Sequence, residues 1–65
     1  MITAIVSTVD GEDSYAVQVV CNEVLFSFVT RCIQILPCAF GRNELRFDDM
    51  NGDRKVFLID KLIMA

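Results

Sequence analysis

The side chains best able to do chemistry are three thiols, Cys21, Cys32 and Cys38, and the carboxylate pair Asp48 and Asp49. The chain has no histidine, so neither a zinc tetrahedron of mixed Cys and His ligands nor a Cys-His nucleophile pair can be assembled. Cys38 follows Pro37 and precedes Arg42, but it has no histidine to act as its base. Free cysteine is among the most buried residue types, so three structural, buried thiols are expected. Asp48 and Asp49 are adjacent, and on a strand neighbours point to opposite faces, so they cannot flank one substrate. Asp49-x-Asn51-Gly52 has part of the spacing of a calcium loop. That loop needs an acid where Phe47 stands and a bidentate Glu where Leu58 stands. The expectation is a protein that is not an enzyme and that carries no metal and no cofactor.

Charge offers two further candidates. Residues 1–30 hold Asp10, Glu12, Asp13 and Glu23 and no Lys or Arg. An acidic turn at 10–13 steers encounter with a basic protein surface, or is simply a solvated turn. Arg42, Arg46, Arg54 and Lys55 lie close in sequence with Phe57 among them, the ingredients of a site that stacks bases and tracks phosphate. Glu44, Asp48, Asp49 and Asp53 offset those cations, and the whole chain carries a net charge of −3, so nucleic acid stands as the alternative ligand.

The elements that position these residues begin with two glycine turns. Asp10-Gly11 and Asn51-Gly52 each separate apolar-rich segments, and such dipeptides suit the left-handed turns of hairpins. In the first hairpin Ile2, Ala4 and Val6 share an inward face with Tyr15, Val17 and Val19, whether the loop has two residues or four, because a shift of two preserves the face. In the second, a two-residue loop pairs Phe47 with Val56 and Leu45 with Leu58, sets Asp49 against Arg54 and Asp48 against Lys55, and turns Phe57 and Ile59 outward. Between them, Ser27, Thr30, Arg31 and Gln34 fall on one arc at helical spacing. Asn22 is placed to cap a helix over 24–36 and Pro37 to end it. The Val, Ile and Phe content of that stretch speaks for strand, but strands there need turns at Asn22-Glu23 or Thr30-Arg31 that lack glycine.

The expected fold is α+β, a ββαββ order with a four-stranded, mostly antiparallel sheet covered by one helix and the chain ends paired in parallel. Its spacing resembles small β-grasp domains. Residues 45–63 resemble the opening hairpin of WYL-type and Sm-like small barrels, which implies an alternative, an all-β five-stranded SH3/Sm-like small barrel. The 65 residues make one small domain. At that size only about 60% of the unfolded surface is buried, so stability is marginal without outside help. A hydrophobic content of 54% is high for a monomer of this length, and a homodimer is expected. The first apolar stretch lacks a signal-peptide pattern and is too short to span a bilayer, so a cytoplasmic location is expected.

In the grasp-like order the open edges are 14–20 and 45–50, and the first has no Lys or Pro to block an added strand. The functional expectation is a small protein-binding module acting as a steric regulator or inhibitor of a partner, the profile of a phage-type inhibitor. Asp10, Glu12 and Asp13 would steer, and Tyr15, Val17, Gln18, Val19 and Val20 would form or flank the contact. The alternative is a small barrel binding single-stranded nucleic acid through Arg42, Arg46, Arg54, Lys55 and Phe57. A third reading is the structural subunit of a homo-oligomer.

Overall fold

Asn22 and Glu23 decide the architecture. Both have left-handed backbone, with φ of 49° and 68°. That is the signature of a type I′ two-residue hairpin loop, and Asn enters this region more readily than most residues. The chain therefore turns back on itself where a helix cap was expected.

The computed structural model describes residues 1–11 and 13–65 and contains seven strands: β1 (Ile2–Thr8), β2 (Tyr15–Cys21), β3 (Val24–Thr30), β4 (Ile33–Pro37), β5 (Asn43–Asp48), β6 (Arg54–Ile59) and β7 (Lys61–Met64). There is no α-helix among the described residues. The expected α+β fold is thus corrected to an all-β one. Residues 24–36 are β3, a corner and β4. The polar arc that read as a helix face is made of Ser27 on the outer face of β3, Thr30 and Arg31 at the corner, and Gln34 on β4. β3 is apolar on both faces, so the alternation that marks a half-buried strand is missing and the helical spacing arises by coincidence.

Two sheets result, ordered β3-β2-β1-β7 and β4-β5-β6. The chain passes between them at Arg31–Cys32 and again at Asp60, in the manner of sheets joined at corners by strands that change layer. Joined this way, β3 with β4 and β6 with β7 act as single bent strands. The whole is a five-strand meander, closed where β7 pairs in parallel with β1. The chain ends do pair in parallel, but through Lys61–Met64 at a sheet edge and not as the central strands of the expected ββαββ sheet. The expected open edges are not edges: β2 lies between β1 and β3, and β5 between β4 and β6, so 14–20 and 45–50 are interior.

The first hairpin keeps its expected inward face. Val6 pairs with Val17 and Ala4 with Val19, the register of the four-residue loop, closed by Val9 N–H donating to Ser14 O at 3.1 Å. The second hairpin is slipped by one residue from expectation. Leu45 pairs with Phe57 and Asp48 with Arg54, so Phe57 and Ile59 face inward and Val56 and Leu58 outward. Its loop explains the slip. Gly52 N–H donates to Asp49 O at 3.0 Å and Asp49 N–H to Asp53 O at 2.9 Å, with Gly52 at φ 79°. This is a three-residue loop in which the glycine takes the left-handed position of a bulge. Asp49 Oδ1 accepts from Asn51 N–H and Asp53 N–H, both at 2.9 Å, and so holds the longer loop in place.

The core is Ala4, Val6, Val17, Val19, Leu45, Phe47 and Ile59, drawn from both sheets. At the first corner Thr30 is buried, and its Oγ1 lies 3.1 Å from Cys32 O and 3.0 Å from Asp48 O while accepting from Cys32 N–H. At the second, Asp60 and Ile2 bond reciprocally. Ile2 N–H donates to Asp60 Oδ2 at 2.7 Å, and Asp60 N–H donates to Ile2 O at 2.8 Å. The thiols depart from the buried reading: Cys32 is exposed, and Cys21 and Cys38 are half-buried.

Candidate functional site

Four strands have a free edge: β3, β7, β4 and β6. Three carry a residue that discourages an added strand, Lys61 in β7, Pro37 in β4, and Arg54 with Lys55 in β6. β3, Val-Leu-Phe-Ser-Phe-Val-Thr, carries none. It also exposes a run of large apolar side chains, with Val24 67%, Leu25 60%, Phe26 52% and Val29 59% exposed. Leu25 and Val29 lie on the outer face, Val24 and Phe26 on the inner one, so the first half of the strand is open on both faces as well as along its edge, while Phe28 and Thr30 are covered.

Beside this edge runs an apolar groove. Phe26, Phe28 and Phe47 line it, and the β5–β6 loop with Asp49, Met50 and Asn51 forms its far wall. The phenylalanines are held by one another. Phe28 stacks on Phe47 with ring centroids 4.3 Å apart, Phe47 meets Phe57 at 5.3 Å, and Phe26 stands edge-on to Phe57 at 6.2 Å. Phe47 is buried and anchors the set, while Phe26 is open to solvent. Aromatic pairs in such offset and edge-on arrangements attract beyond their buried area, so the cluster is a rigid floor.

The residues singled out in the sequence are dispersed. Asp10 and Asp13 are exposed at the β1–β2 loop, and Glu12 lies outside the described residues. Val17 and Val19 are core, Tyr15 and Val20 are half-buried, and Gln18 is exposed but belongs to the paired strand β2. The cations are also separated. Arg42 Nε sits 3.0 Å from Asp60 Oδ1, Arg46 grips Glu44 on its own strand at 2.9 Å, and Lys55 Nζ lies 3.8 Å from Asp49 Oδ2. Lys55 shares its strand face with Phe57, whereas Arg46 and Arg54 occupy the opposite face of their sheet. Sequence reasoning missed Leu25, Phe26, Ser27, Phe28 and Val29. The signal was their β-branched and aromatic composition, together with an Asn able to turn left-handed before them.

Among the described residues Asp60 is the one group whose titration is clearly displaced. The Ile2 N–H bonded to its carboxylate holds it below the ordinary value, with Arg42 and the terminal ammonium adding to the effect against partial desolvation. Its role is to close the corner, at a distance from the groove. Among the described residues no cluster of His, Cys, Asp or Glu could hold a metal ion. Among the described residues no helix is long and apolar enough to cross a membrane. Compared with known proteins, the chain matches no family model, no curated protein and no solved structure.

Proposed function

We propose that this chain is a non-catalytic protein-binding module, a steric regulator of its partner, and that it binds by accepting a strand along the free edge of β3. The observation that carries this reading is that β3 alone among the four open edges lacks Lys, Arg and Pro while exposing apolar side chains on both faces. Main-chain hydrogen bonds along such an edge supply affinity, and the groove floored by Phe28 and Phe47 supplies selection among side chains. The test compares wild-type protein with Ser27→Pro as bait in nuclease-treated source lysate. Ser27 N–H faces the free edge, so proline removes a donor there and leaves the ladder to β2 intact. Loss of a stoichiometric partner with the folded variant supports the reading; an unchanged partner refutes it.

The barrel supports a second reading more directly than it supports the first. Small all-β barrels present aromatic side chains on an open surface, as Phe26 is presented here, with Phe57 half-buried against it and Lys55 on the strand face of Phe57. Against it stand the net charge of −3 and the pairing of Arg42, Arg46 and Lys55 with acids. Anisotropy of a labelled oligothymidylate decides it. Binding that falls steeply with salt and is abolished by Arg54→Glu with Lys55→Glu establishes nucleic acid as the ligand. Binding absent at low salt removes that reading.

A further inference from the structure

We infer that the strand added to β3 is the β3 of a second copy of this chain, antiparallel about a two-fold axis through Ser27. The inference rests on the strand-addition reading above and names its partner.

The phase of the hydrogen bonds is the first argument. Val9 N–H donates to Ser14 O, so Ser14 directs its backbone groups to β1, and by alternation Tyr15, Val17, Val19 and Cys21 direct theirs to β3. Their partners are Thr30, Phe28, Phe26 and Val24. The N–H and C=O groups of Leu25, Ser27 and Val29 are therefore turned to the free edge. An axis through Ser27 sets Ser27 against Ser27 of the second copy and Leu25 against its Val29, so each outward group meets an outward partner. An axis through Val29 would run the ladder into the corner at Arg31–Cys32. One through Leu25 would run it into the left-handed turn at Asn22 and Glu23. The Ser27 axis alone keeps the whole strand paired.

Side chains agree with that register. On the outer face Leu25 meets Val29, and on the inner face Phe26 meets Phe28 and Val24 meets Thr30, with the groove receiving the second copy's rings. β3 carries no charge, so no like charges are opposed along it. Just beyond the ends of the paired strands, the same register brings the turn carrying Glu23 of each copy beside the corner carrying Arg31 of the other, both exposed, and symmetry does so twice. Opposite charges brought close at the strand ends favour the register that unites them, most of all at low salt. The contact is isologous, as a closed two-fold dimer requires. One strand per copy is a small interface, below the roughly 800 Å² per partner of standard complexes, so a dimer of micromolar strength is expected.

Sedimentation velocity and native mass spectrometry of the whole chain, from low micromolar to about 1 mM, test this. The wild type is expected to dimerise reversibly, and Ser27→Pro to remain monomeric with its strand circular dichroism unchanged. Glu23→Arg and Arg31→Glu each oppose like charges and should weaken the dimer by about tenfold at low salt. An equimolar mixture of the two should form a heterodimer at wild-type strength, because every crossing is then of opposite sign. A monomer at the highest concentration overturns the inference, and so does a dimer insensitive to these variants. A monomeric chain whose captured partner is still lost with Ser27→Pro would leave strand addition standing and remove self-pairing. Loss of neither association with Ser27→Pro would remove both.

Discussion

Replacing Glu23 with glycine should stabilise this protein. Glu23 holds φ 68° in the loop between β2 and β3, and it makes no hydrogen bond or ion pair within its own chain among the described residues. A left-handed conformation costs an L-residue with a Cβ roughly 1–2 kcal/mol, and glycine removes that cost. Glycine also gives the unfolded chain more freedom, which costs about 0.5–1 kcal/mol. The difference is a net gain of about 0.5–1 kcal/mol, which for a domain of this size corresponds to a rise in Tm of about 2–8 °C. Thermal unfolding followed by far-ultraviolet circular dichroism measures it, at low micromolar concentration so that self-association does not contribute. The sign is diagnostic. In a helix beginning at residue 23 the same change would remove an acid from the first turn and lower stability by a comparable amount. A lowered Tm would refute the type I′ hairpin and with it the exposed edge of β3.

Thr30→Val keeps the shape at the corner but strands the polar groups that meet the hydroxyl, and should cost about 1–3 kcal/mol in urea unfolding. Ser27→Ala, on an exposed face, should shift stability by less than about 0.5 kcal/mol in the same experiment. Asp60 has a native pKa held below its ordinary 3.8. Its contribution is therefore present above that value and is lost as the pH falls through it towards the native one. Asp60→Asn should be less stable than wild type at neutral pH and should lack that part of the acid slope, as urea midpoints across an acid pH series will show. A limiting thiol reagent followed by mass spectrometry should label Cys32 before Cys21 and Cys38, since only Cys32 is exposed.

The sequence and the structure agree where local signals and the global arrangement coincide. The inward face of the first hairpin was legible because a loop of two or of four residues leaves Ile2, Ala4 and Val6 on the same face, even though Ile5 makes the opposite face only half polar. The second hairpin failed on a single residue. Asn51-Gly52 fits both a two-residue loop and a three-residue loop with glycine at the bulge, and a slip of one exchanges Phe57 and Ile59 for Val56 and Leu58 on the buried face. Its cross-strand charges did not discriminate, since Asp48 meets Arg54 in the ladder and Lys55 still reaches Asp49. Residues 24–36 failed because β3 has no polar face. A strand that carries apolar side chains on both faces leaves no alternation to read.

From the chain alone follow a hairpin at either end and the inward face of the first. These depend on turn chemistry, alternation and residue types, which act over a few neighbours. Tertiary structure decided which strands are interior and which are edges, and so moved the candidate surface from β2 to β3. It also separated the cations, binding Arg42 to Asp60, Arg46 to Glu44 and Lys55 to Asp49. Strand order is a property of pairings between segments far apart in the chain. No short-range pattern encodes which of two apolar strands will find a partner on its second side.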